Sequence, residues 1–286
     1  YETIDRILAS GDSDRPTAIR VNTEKISVTA FSEKLRQNGI TVERGSMNDT
    51  SLLISGYDYI RKVPGFFDGE FVVQDQSSCL AVKAAGINEG DLVVDVCAAP
   101  GGKTMYAAML TGSEGHVISR DLIDKKTELI EENIERLGLS NVTVQVHDAR
   151  EFDEELTGKA DVVIADLPCS GLGIMGRKND IKYHVSMESV KELAQLQREI
   201  LDTVCRYVKP GGTLVYSTCT IDSIENDENA VWFADTHDFS LCGIDDVVPE
   251  HGGERGFVTL HQGIDECDGF FISKFRADSN NQIGQE

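Results

Sequence analysis

From about residue 86 onward, short apolar runs alternate with longer stretches in which apolar residues recur every three or four positions. Short apolar runs between turn residues are typical of buried strands, and the three-to-four spacing is typical of helices that cover a sheet. The predicted strands are residues 92–97, 117–119, 142–146, 162–165, 213–217 and 269–275, and the predicted helices are residues 103–110, 125–137 and 188–208. This alternation predicts an α/β fold with a doubly wound, mostly parallel sheet.

The first part of the chain shows a smaller pattern of the same kind. Residues 18–22 and 51–54 are strand signals, and the helical spacing of residues 29–38 ends at Gly39, a residue suited to a helix C-cap. We therefore divide the chain into a linker, a small α/β module, a larger α/β domain and a disordered tail. Their bounds are residues 1–14, 15–85, 86–277 and 278–286.

The charge balance, taken alone, argues against a nucleic-acid partner. The 286 residues include 49 acidic and 27 basic side chains, so the net charge of −22 repels RNA and DNA at long range. The charge is uneven, because residues 15–44 hold six Lys or Arg against three Glu, whereas residues 220–254 hold ten acidic residues and no basic one. A local basic face in the small module therefore stays compatible with such a partner.

Cysteine usage and hydropathy indicate a cytoplasmic protein. The seven cysteines are scattered and never spaced as Cys-x-x-Cys, which argues against a disulfide framework and a structural zinc site. No apolar run approaches the ~20 residues that a membrane span needs, and no charged-then-apolar leader begins the chain. We expect free thiols in a reducing compartment, with no membrane and no metal.

A glycine turn follows the first strand of the larger domain, in residues 95–104, which read Asp-Val-Cys-Ala-Ala-Pro-Gly-Gly-Lys-Thr. Glycines let a backbone approach a ligand, and a helix N-terminus offers unpaired amides to a negatively charged group. The segment lacks both the P-loop pattern and the full Gly-x-Gly-x-x-Gly dinucleotide pattern, which favours an adenosine cofactor without phosphates. S-Adenosylmethionine fits this description.

Acidic residues stand at the ends of the next predicted strands. Asp121 lies 19 positions after Gly102, close to the ~20-residue spacing at which a carboxylate reaches a ribose hydroxyl in nucleotide-binding sheets. Asp148 and Asp166 follow two further strands and would line the same crevice. Each of these acidic residues, taken alone, is better explained as a solvated loop carboxylate or a helix N-cap. The recurrence of an acidic residue at successive strand ends is what favours a binding site. The predicted cofactor-binding residues are Cys97, Ala98, Ala99, Pro100, Gly101, Gly102, Lys103, Asp121, Asp148 and Asp166.

Two cysteines, Cys169 and Cys219, each come just after a predicted strand. Side chains at the carboxyl ends of strands face the crevice in which open α/β sheets bind ligands. An isolated cysteine is more often a buried structural residue. That interpretation applies to Cys79, Cys205, Cys242 and Cys267.

Four segments resemble, in order, the motifs of RNA cytosine-5 methyltransferases of the RsmB (Sun, Fmu) type. They are residues 97–104, 166–171 (Asp-Leu-Pro-Cys-Ser-Gly), 217–220 (Ser-Thr-Cys-Thr) and 268–271 (Asp-Gly-Phe-Phe). Residues 176–183 and 193–197 resemble the bacterial ribosomal RNA branch. The resemblance covers about residues 15–275. It implies a seven-stranded methyltransferase sheet that binds S-adenosylmethionine, and we interpret the small module as RRM-like and RNA-binding.

The resemblance also implies a covalent mechanism and assigns its catalytic residues. A thiolate that adds to cytosine C6 makes C5 nucleophilic enough to take a methyl group, after which a base removes the C5 proton and the thiol departs. In this family the attacking sulfur corresponds to Cys219, and the cysteine that assists product release corresponds to Cys169. Asp166 is the candidate for a carboxyl group aimed at N3, where charge develops. Cys219 needs an electropositive setting to ionise, for which Lys103 and Lys182 are candidates.

We therefore expect RNA as the partner, most simply small-subunit (16S) ribosomal RNA, bound by a monomer. The target base must be unstacked, and exposed RNA loops provide such bases. Candidate phosphate contacts are Arg15, Arg20, Lys25 and Arg36 in the small module and Arg177, Lys178 and Lys182 beside the active site. Three alternatives remain open: a tRNA cytosine-5 methyltransferase, a methyltransferase of the same fold that acts on a small molecule or protein, and a noncatalytic RNA-binding factor.

Overall fold

The first part of the chain forms a four-stranded antiparallel sheet with helices. The computed structural model describes residues 2–10, 15–178 and 180–279. The first elements are α1 (Glu2–Ser10), β1 (Thr17–Val21), α2 (Val28–Gln37), β2 (Thr41–Arg44), β3 (Ser51–Ser55) and β4 (Phe71–Val73). The strands are ordered β2-β3-β1-β4, and each neighbouring pair is antiparallel. The sequence pattern predicted β1, α2 and β3; it missed β2 and β4, which are too short to show an alternation of their own.

Helix α2 gives this sheet its core. Ser27 caps the helix, because its side chain accepts a hydrogen bond from the Ala30 amide (3.2 Å). Phe31 and Leu35 of α2 are fully buried in one cluster with Ile19 of β1. Burying side chains of this size contributes roughly 1.5–3 kcal/mol each to the free energy of unfolding.

The predicted linker is wrong over Glu2–Ser10, which form the nine-residue helix α1. Residues far along the chain hold this helix: Arg6 Nη2 donates to the Gly263 carbonyl (3.1 Å), and Gln262 Nε2 donates to Ser10 Oγ (3.0 Å). A helix this short is marginal in water without tertiary contacts, and a local pattern cannot reveal those contacts. Residues 1 and 11–14 of the predicted linker, and residues 280–286 of the predicted tail, lie outside the described residues.

The rest of the chain builds the larger α/β unit. Its helices are α3 (Gln76–Ala85), α4 (Gly102–Thr111), α5 (Asp124–Leu137), α6 (Ile181–His184), α7 (Met187–Val204) and α8 (Asp227–Thr236). Its strands are β5 (Leu92–Asp95), β6 (His116–Asp121), β7 (Val142–Val146), β8 (Ala160–Asp166), β9 (Val208–Thr218), β10 (Phe239–Leu241), β11 (Phe257–Leu260) and β12 (Phe270–Ala277). Of the helices in the described residues, none combines the length and apolar composition that a membrane crossing requires.

Eight strands fill seven positions across this sheet. The order is β7-β6-β5-β8-β9-β12, and the short strands β10 and β11 both pair with the remaining edge of β12. Strands β5 to β9 run parallel to their neighbours, whereas β12 is antiparallel to β9. The predicted mostly parallel α/β sheet is confirmed. The carboxyl ends of β5, β6, β8 and β9 meet along one edge, where such sheets bind ligands.

Helix α3 packs its apolar side chains on the larger unit. Its residues Cys79 and Leu80 share a buried cluster with Val93 of β5 and Tyr106 of α4. Asp75 caps the helix by accepting from the Ser77 amide (3.0 Å). Residues 76–85 were assigned to the small module from sequence, whereas the apolar side chains of this helix pack with the larger unit. The residues on which α3 packs are distant in sequence, so the apolar pattern of the helix itself could not identify them.

The long helix predicted at residues 188–208 is shorter than expected. Helix α7 ends at Val204, a single 3-10 turn follows at residues 205–207, and β9 begins at Val208. Residues 210–212 (Pro-Gly-Gly) therefore lie inside a strand that was predicted to begin at residue 213. They form an irregularity, because the register with β8 shifts between the pairs Ala160–Val208 and Val162–Thr213. Gly211 takes a φ of +72°, which allows the chain to bulge there.

Candidate active site

A cavity of about 250 Å³ opens at the carboxyl ends of β5, β8 and β9. Of the predicted site residues, those that line it are Cys97, Ala98, Ala99, Pro100, Gly102, Lys103, Asp166 and Cys219. Segments from both parts of the chain complete the wall, notably Gln74, Ser78, Asp268 and Phe270. These eight residues therefore meet in one place, whereas Gly101, Asp121, Asp148 and Cys169 are not among the residues that line it.

The turn between β5 and α4 is held by the end of the neighbouring strand. The Ala98 amide donates to the Arg120 carbonyl (2.8 Å), and the Ala99 amide donates to Asp121 Oδ2 (3.2 Å). Gly101 takes a φ of +99°, a left-handed conformation that favours glycine. Because the turn leads straight into α4, the unpaired amides at the N-terminus of that helix lie beside the cavity.

Asp95 is a site residue that the sequence analysis missed. It is fully buried and lines the cavity; its Oδ2 accepts from Thr104 Oγ1 (2.7 Å), whereas Oδ1 has no hydrogen-bond partner among the described residues. Burial is the main cause that raises the pKa of this carboxyl to about 7. An unpartnered carboxylate oxygen that lines a cavity fits an ammonium group. The sequence signal that could have identified Asp95 is its position as the last residue of a buried strand, directly before the glycine turn.

The other two acidic residues of the predicted series are placed differently. Asp121 does not line the cavity but anchors the turn, since its carboxylate accepts from the amides of Ala99 and Ile123. Asp148 pairs with Arg150 on the same loop, and this guanidinium is the main cause that lowers the pKa of Asp148. Asp148 is not among the residues that line the cavity.

Cys169 and Cys219 face each other with their Sγ atoms 3.3 Å apart. The hydrogen bond from the Cys169 thiol is the main cause that lowers the pKa of Cys219, and Lys103 lowers it further, against burial and Asp166. The same hydrogen bond, with burial, holds the pKa of Cys169 well above its usual range. The two sulfurs therefore differ: the pKa of Cys219, on the cavity wall, is lowered, and that of Cys169 is raised.

We expect replacement of Cys169 by alanine to raise the pKa of Cys219. Loss of one hydrogen bond to the thiolate is expected to shift the midpoint of Cys219 alkylation upward by about 1 pH unit. The measurement is the rate of iodoacetamide labelling of the Cys219 peptide as a function of pH, followed by mass spectrometry. Cys205→Ala, which changes a buried cysteine elsewhere, is the control and should leave the midpoint in place. An unchanged or lower midpoint in Cys169→Ala would contradict the assignment.

Asp166 and Lys103 form a partly buried ion pair on the cavity wall. Lys103 Nζ donates to Asp166 Oδ2 and to Ser78 Oγ, both at 2.6 Å, and Ser217 Oγ donates to Asp166 Oδ1 (2.8 Å). The lysine ammonium also lies 5.1 Å from the centre of the Phe270 ring. Each group is thereby fixed, and Lys103 supplies the positive charge near Cys219 that the sequence analysis required.

Two of the arginines predicted as phosphate contacts are engaged by other groups of the protein. Arg20 is buried, and its guanidinium lies over the Tyr106 ring (4.3 Å) and donates to Gln74 Oε1 (2.7 Å). Arg15 is paired with Asp268 (2.7 Å), which Arg177 also contacts. These arginines hold Gln74 and Asp268, two residues that line the cavity, and nothing in the sequence near residues 74–78 indicated that this segment belongs to the site.

Comparisons with known proteins identify the family of this chain. Residues 83–276 match the family described as 16S rRNA methyltransferase RsmB/F, and residues 2–58 match the ferredoxin-like domain of RsmF/B-like methyltransferases. The chain is 39% identical to the probable ribosomal RNA small subunit methyltransferase B of Bacillus subtilis (strain 168), over 90% of this chain and 59% of that protein. It is 32% identical to the ribosomal RNA small subunit methyltransferase F of Escherichia coli (strain SMS-3-5 / SECEC), over 96% of this chain and 60% of that protein.

A solved structure, a methyltransferase homologue from Pyrococcus horikoshii, has a TM-score of 0.83 at 28% identity and covers 95% of this chain and 90% of its own. The chain spans about 60% of the length of the curated relatives that it matches. The matches confirm the predicted resemblance, the methyltransferase fold and S-adenosylmethionine as its cofactor, and the small unit predicted as RRM-like matches a ferredoxin-like domain. This chain therefore belongs to the 16S ribosomal RNA methyltransferase RsmB/F family.

Proposed function

We propose that this protein methylates C5 of a cytosine in small-subunit ribosomal RNA, through a covalent bond between Cys219 and C6 of the base. The observation that carries the proposal is the pair of cysteines, Cys169 and Cys219, whose Sγ atoms lie 3.3 Å apart, with Cys219 at a cavity lined by the glycine turn. A noncatalytic RNA-binding factor would have no use for an activated thiolate at that place.

Cys219 supplies the nucleophile that cytosine itself lacks. Its thiolate adds to C6, and the electron pair displaced from the C5–C6 double bond makes C5 nucleophilic. S-Adenosylmethionine, when bound, supplies an electrophilic methyl group for C5. The C5 proton then passes to water, its bonding pair restores the C5–C6 double bond, and the C6–S pair returns to Cys219 as a thiolate. Because Cys169 donates a hydrogen bond to that thiolate, it favours the departure.

Asp166 and Lys103 are suited to the charge that develops on the pyrimidine. Addition at C6 pushes negative charge toward N3 and O2 of the ring, where a fixed donor is worth more in a partly buried site than in water. The ammonium of Lys103 is already held in place by Asp166 and Ser78, so it needs no reorganisation. We propose that this pair faces the N3–O2 edge of the base.

The residues around the glycine turn fit the parts of S-adenosylmethionine. The unpartnered Oδ1 of Asp95 suits the ammonium group of the amino-acid tail, and the amides at the start of α4 suit its carboxylate. Asp121, which ends β6 and holds Ala99, is the candidate for the ribose hydroxyls. We keep Asp148 as a proposed contact only for the outer, adenine end, because its carboxylate is engaged by Arg150.

The remaining predicted contacts with RNA also belong to the proposal. Arg177, Lys178 and Lys182 follow the Cys169 loop, and Ile174 of that segment lines the cavity. Tyr183 is exposed beside Lys182, an arrangement that suits contact with single-stranded RNA. A ribosomal RNA substrate would place the protein in the cytoplasm, and a monomeric state stays a prediction.

The experiment that tests the function is methyl transfer to RNA. We expect tritium from S-adenosylmethionine labelled in its methyl group to appear in small-subunit ribosomal RNA from cells that lack this protein, as 5-methylcytosine at one position. Cys219→Ala is the control and should give no label. Label in tRNA alone would favour the tRNA alternative, and label in no RNA would contradict the proposal.

A further inference from the structure

A buried carboxylate lies behind the two cysteines, and the proposed reaction gives it no role. Glu225 is fully buried, on the segment that follows the Cys219 motif. Its Oε1 accepts from the Ser170 amide (2.9 Å) and from Gln197 Nε2 (3.0 Å), and its Oε2 accepts from the Ser170 hydroxyl. Within the described residues it forms no ion pair with a lysine, arginine or histidine. A charge buried in this way is costly for the fold, and its hydrogen bonds offset that cost only in part.

The partners of Glu225 are the peptide groups on both sides of Cys169. Ser170, which follows Cys169, is held through its amide and its hydroxyl. Pro168, which precedes it, is held through its carbonyl, because Gln197 Nε2 donates to that oxygen (2.9 Å) as well as to Glu225. The backbone on either side of the thiol is therefore fixed by one carboxylate and one amide.

The same network reaches the Cys219 segment. The Ser170 hydroxyl lies 2.8 Å from the hydroxyl of Thr220, the residue after Cys219. The Tyr216 hydroxyl, on the strand that leads to Cys219, donates to the Glu225 carbonyl. Both cysteine-bearing segments thus meet around Glu225.

The charge of Glu225, like its hydrogen bonds, favours Cys169 as the donor to Cys219. A negative charge close to Cys169 disfavours a second negative charge on that sulfur, and Glu225 is one of the causes that raise the pKa of Cys169. Cys169 is thereby kept as the hydrogen-bond donor, and Cys219 as the acceptor.

We propose that Glu225 is a positioning residue that, together with Gln197, holds the Cys169 thiol against Cys219 and so supports release of the methylated base. This inference rests on the proposed function. It assigns Glu225 mainly to one step: departure of the Cys219 thiolate from C6, to which Cys169 donates its hydrogen bond. Cofactor binding does not require it, and attack by Cys219 depends on it only through the same hydrogen bond, which lowers the pKa of Cys219.

The test separates the two steps with Glu225→Gln, which keeps the shape of the side chain and removes the charge. RNA that contains 5-fluorocytidine traps the methylated adduct, because fluorine cannot leave as a proton does, so trapping reports attack and methyl transfer but not release. We expect trapping by Glu225→Gln within about 10-fold of the wild-type rate, because a shift of about 1 unit in the pKa of Cys219 changes its thiolate fraction by no more than that factor. On ordinary RNA we expect turnover to fall on the order of 10²-fold, the scale of a misplaced catalytic group, with accumulation of the protein–RNA adduct.

Two further variants keep the test decisive. Glu228→Gln changes an exposed acid of the same segment and should behave as wild type. Gln197→Met removes the amide that holds Pro168. It should also slow turnover more than trapping and cause the adduct to accumulate. This variant provides the test if Glu225→Gln does not fold. Circular dichroism and the affinity for S-adenosylmethionine check that each variant is intact.

The outcomes distinguish this inference from the function on which it rests. If the wild-type protein traps no 5-fluorocytidine RNA, the proposed function fails. If the wild type traps it and Glu225→Gln turns over normally, only the inference fails. It also fails if attack and release slow in the same proportion, since that is the result of a merely structural role.

Discussion

Cys219→Ala is expected to form no covalent adduct with RNA and to lose methyl transfer by at least about 10⁴-fold, the scale on which removal of a catalytic nucleophile acts. The alanine side chain cannot add to C6, and the neighbouring Cys169 is a poor substitute because its pKa is raised well above its usual range. Cys169→Ala is expected to give the opposite result in the adduct assay. Its Cys219 can still attack, but the departing thiolate loses its hydrogen-bond donor, so the adduct should accumulate.

The measurement is a denaturing gel that resolves protein bound to RNA, after incubation with S-adenosylmethionine and small-subunit RNA. Cys242→Ala, a partly exposed cysteine outside the cavity, is the matched control and should show neither effect. A band in Cys219→Ala together with none in Cys169→Ala would reverse the two roles. Equal loss of activity with no band in either variant would remove the covalent mechanism.

Asp95→Asn is expected to weaken S-adenosylmethionine binding by roughly 10- to 100-fold, since a hydrogen bond to a charged group contributes about 1.5–3 kcal/mol. Asparagine keeps the shape of the side chain but offers a neutral oxygen to the ammonium group of the cofactor. The measurement is titration calorimetry without RNA. Glu131→Gln, an exposed acid on α5, is the control and should bind as wild type does.

The raised pKa of Asp95 gives this prediction a pH dependence. Burial is the largest cause and the charges of Asp166 and Asp121 add to it, while Thr104 and Lys103 oppose it; the pKa is about 7. The folded protein without cofactor therefore holds a proton that the unfolded chain has lost, so this group's contribution to stability decreases as pH rises from about 4 to about 7. Cofactor binding needs the ionised form, so wild-type affinity should increase between about pH 6 and about pH 8 more than that of Asp95→Asn. Parallel pH profiles in the two proteins would contradict the role of Asp95.

Local patterns predicted much of the fold because parallel strands buried on both faces are short apolar runs. Strands β5 to β9, the turn at residues 97–102 and the helix α5 with its closing Gly138 all follow from such signals. These local signals failed where contacts between residues distant in the sequence determine the structure. Helix α1 depends on residues 262–263, and α3 takes its packing partners from β5 and α4. Residues 210–212, read as a helix stop, became a bulge inside β9 because β8 lies beside them.

The sequence by itself determined that this chain is an α/β methyltransferase with a glycine turn and two cysteines at strand ends, because those features are local or are carried by ordered motifs. Only the tertiary structure decided that the two sulfurs lie 3.3 Å apart, that Cys219 is the one with the lowered pKa, that the buried Asp95 lines the same cavity as Cys219, and that the buried Glu225 holds the residue after Cys169. It also decided that Arg20 is buried and donates to Gln74. The physical reason is that the charge state of a side chain depends on its burial and on the groups around it. Those groups lie on segments that are distant in the sequence and meet only where their strands end at the same edge of the sheet.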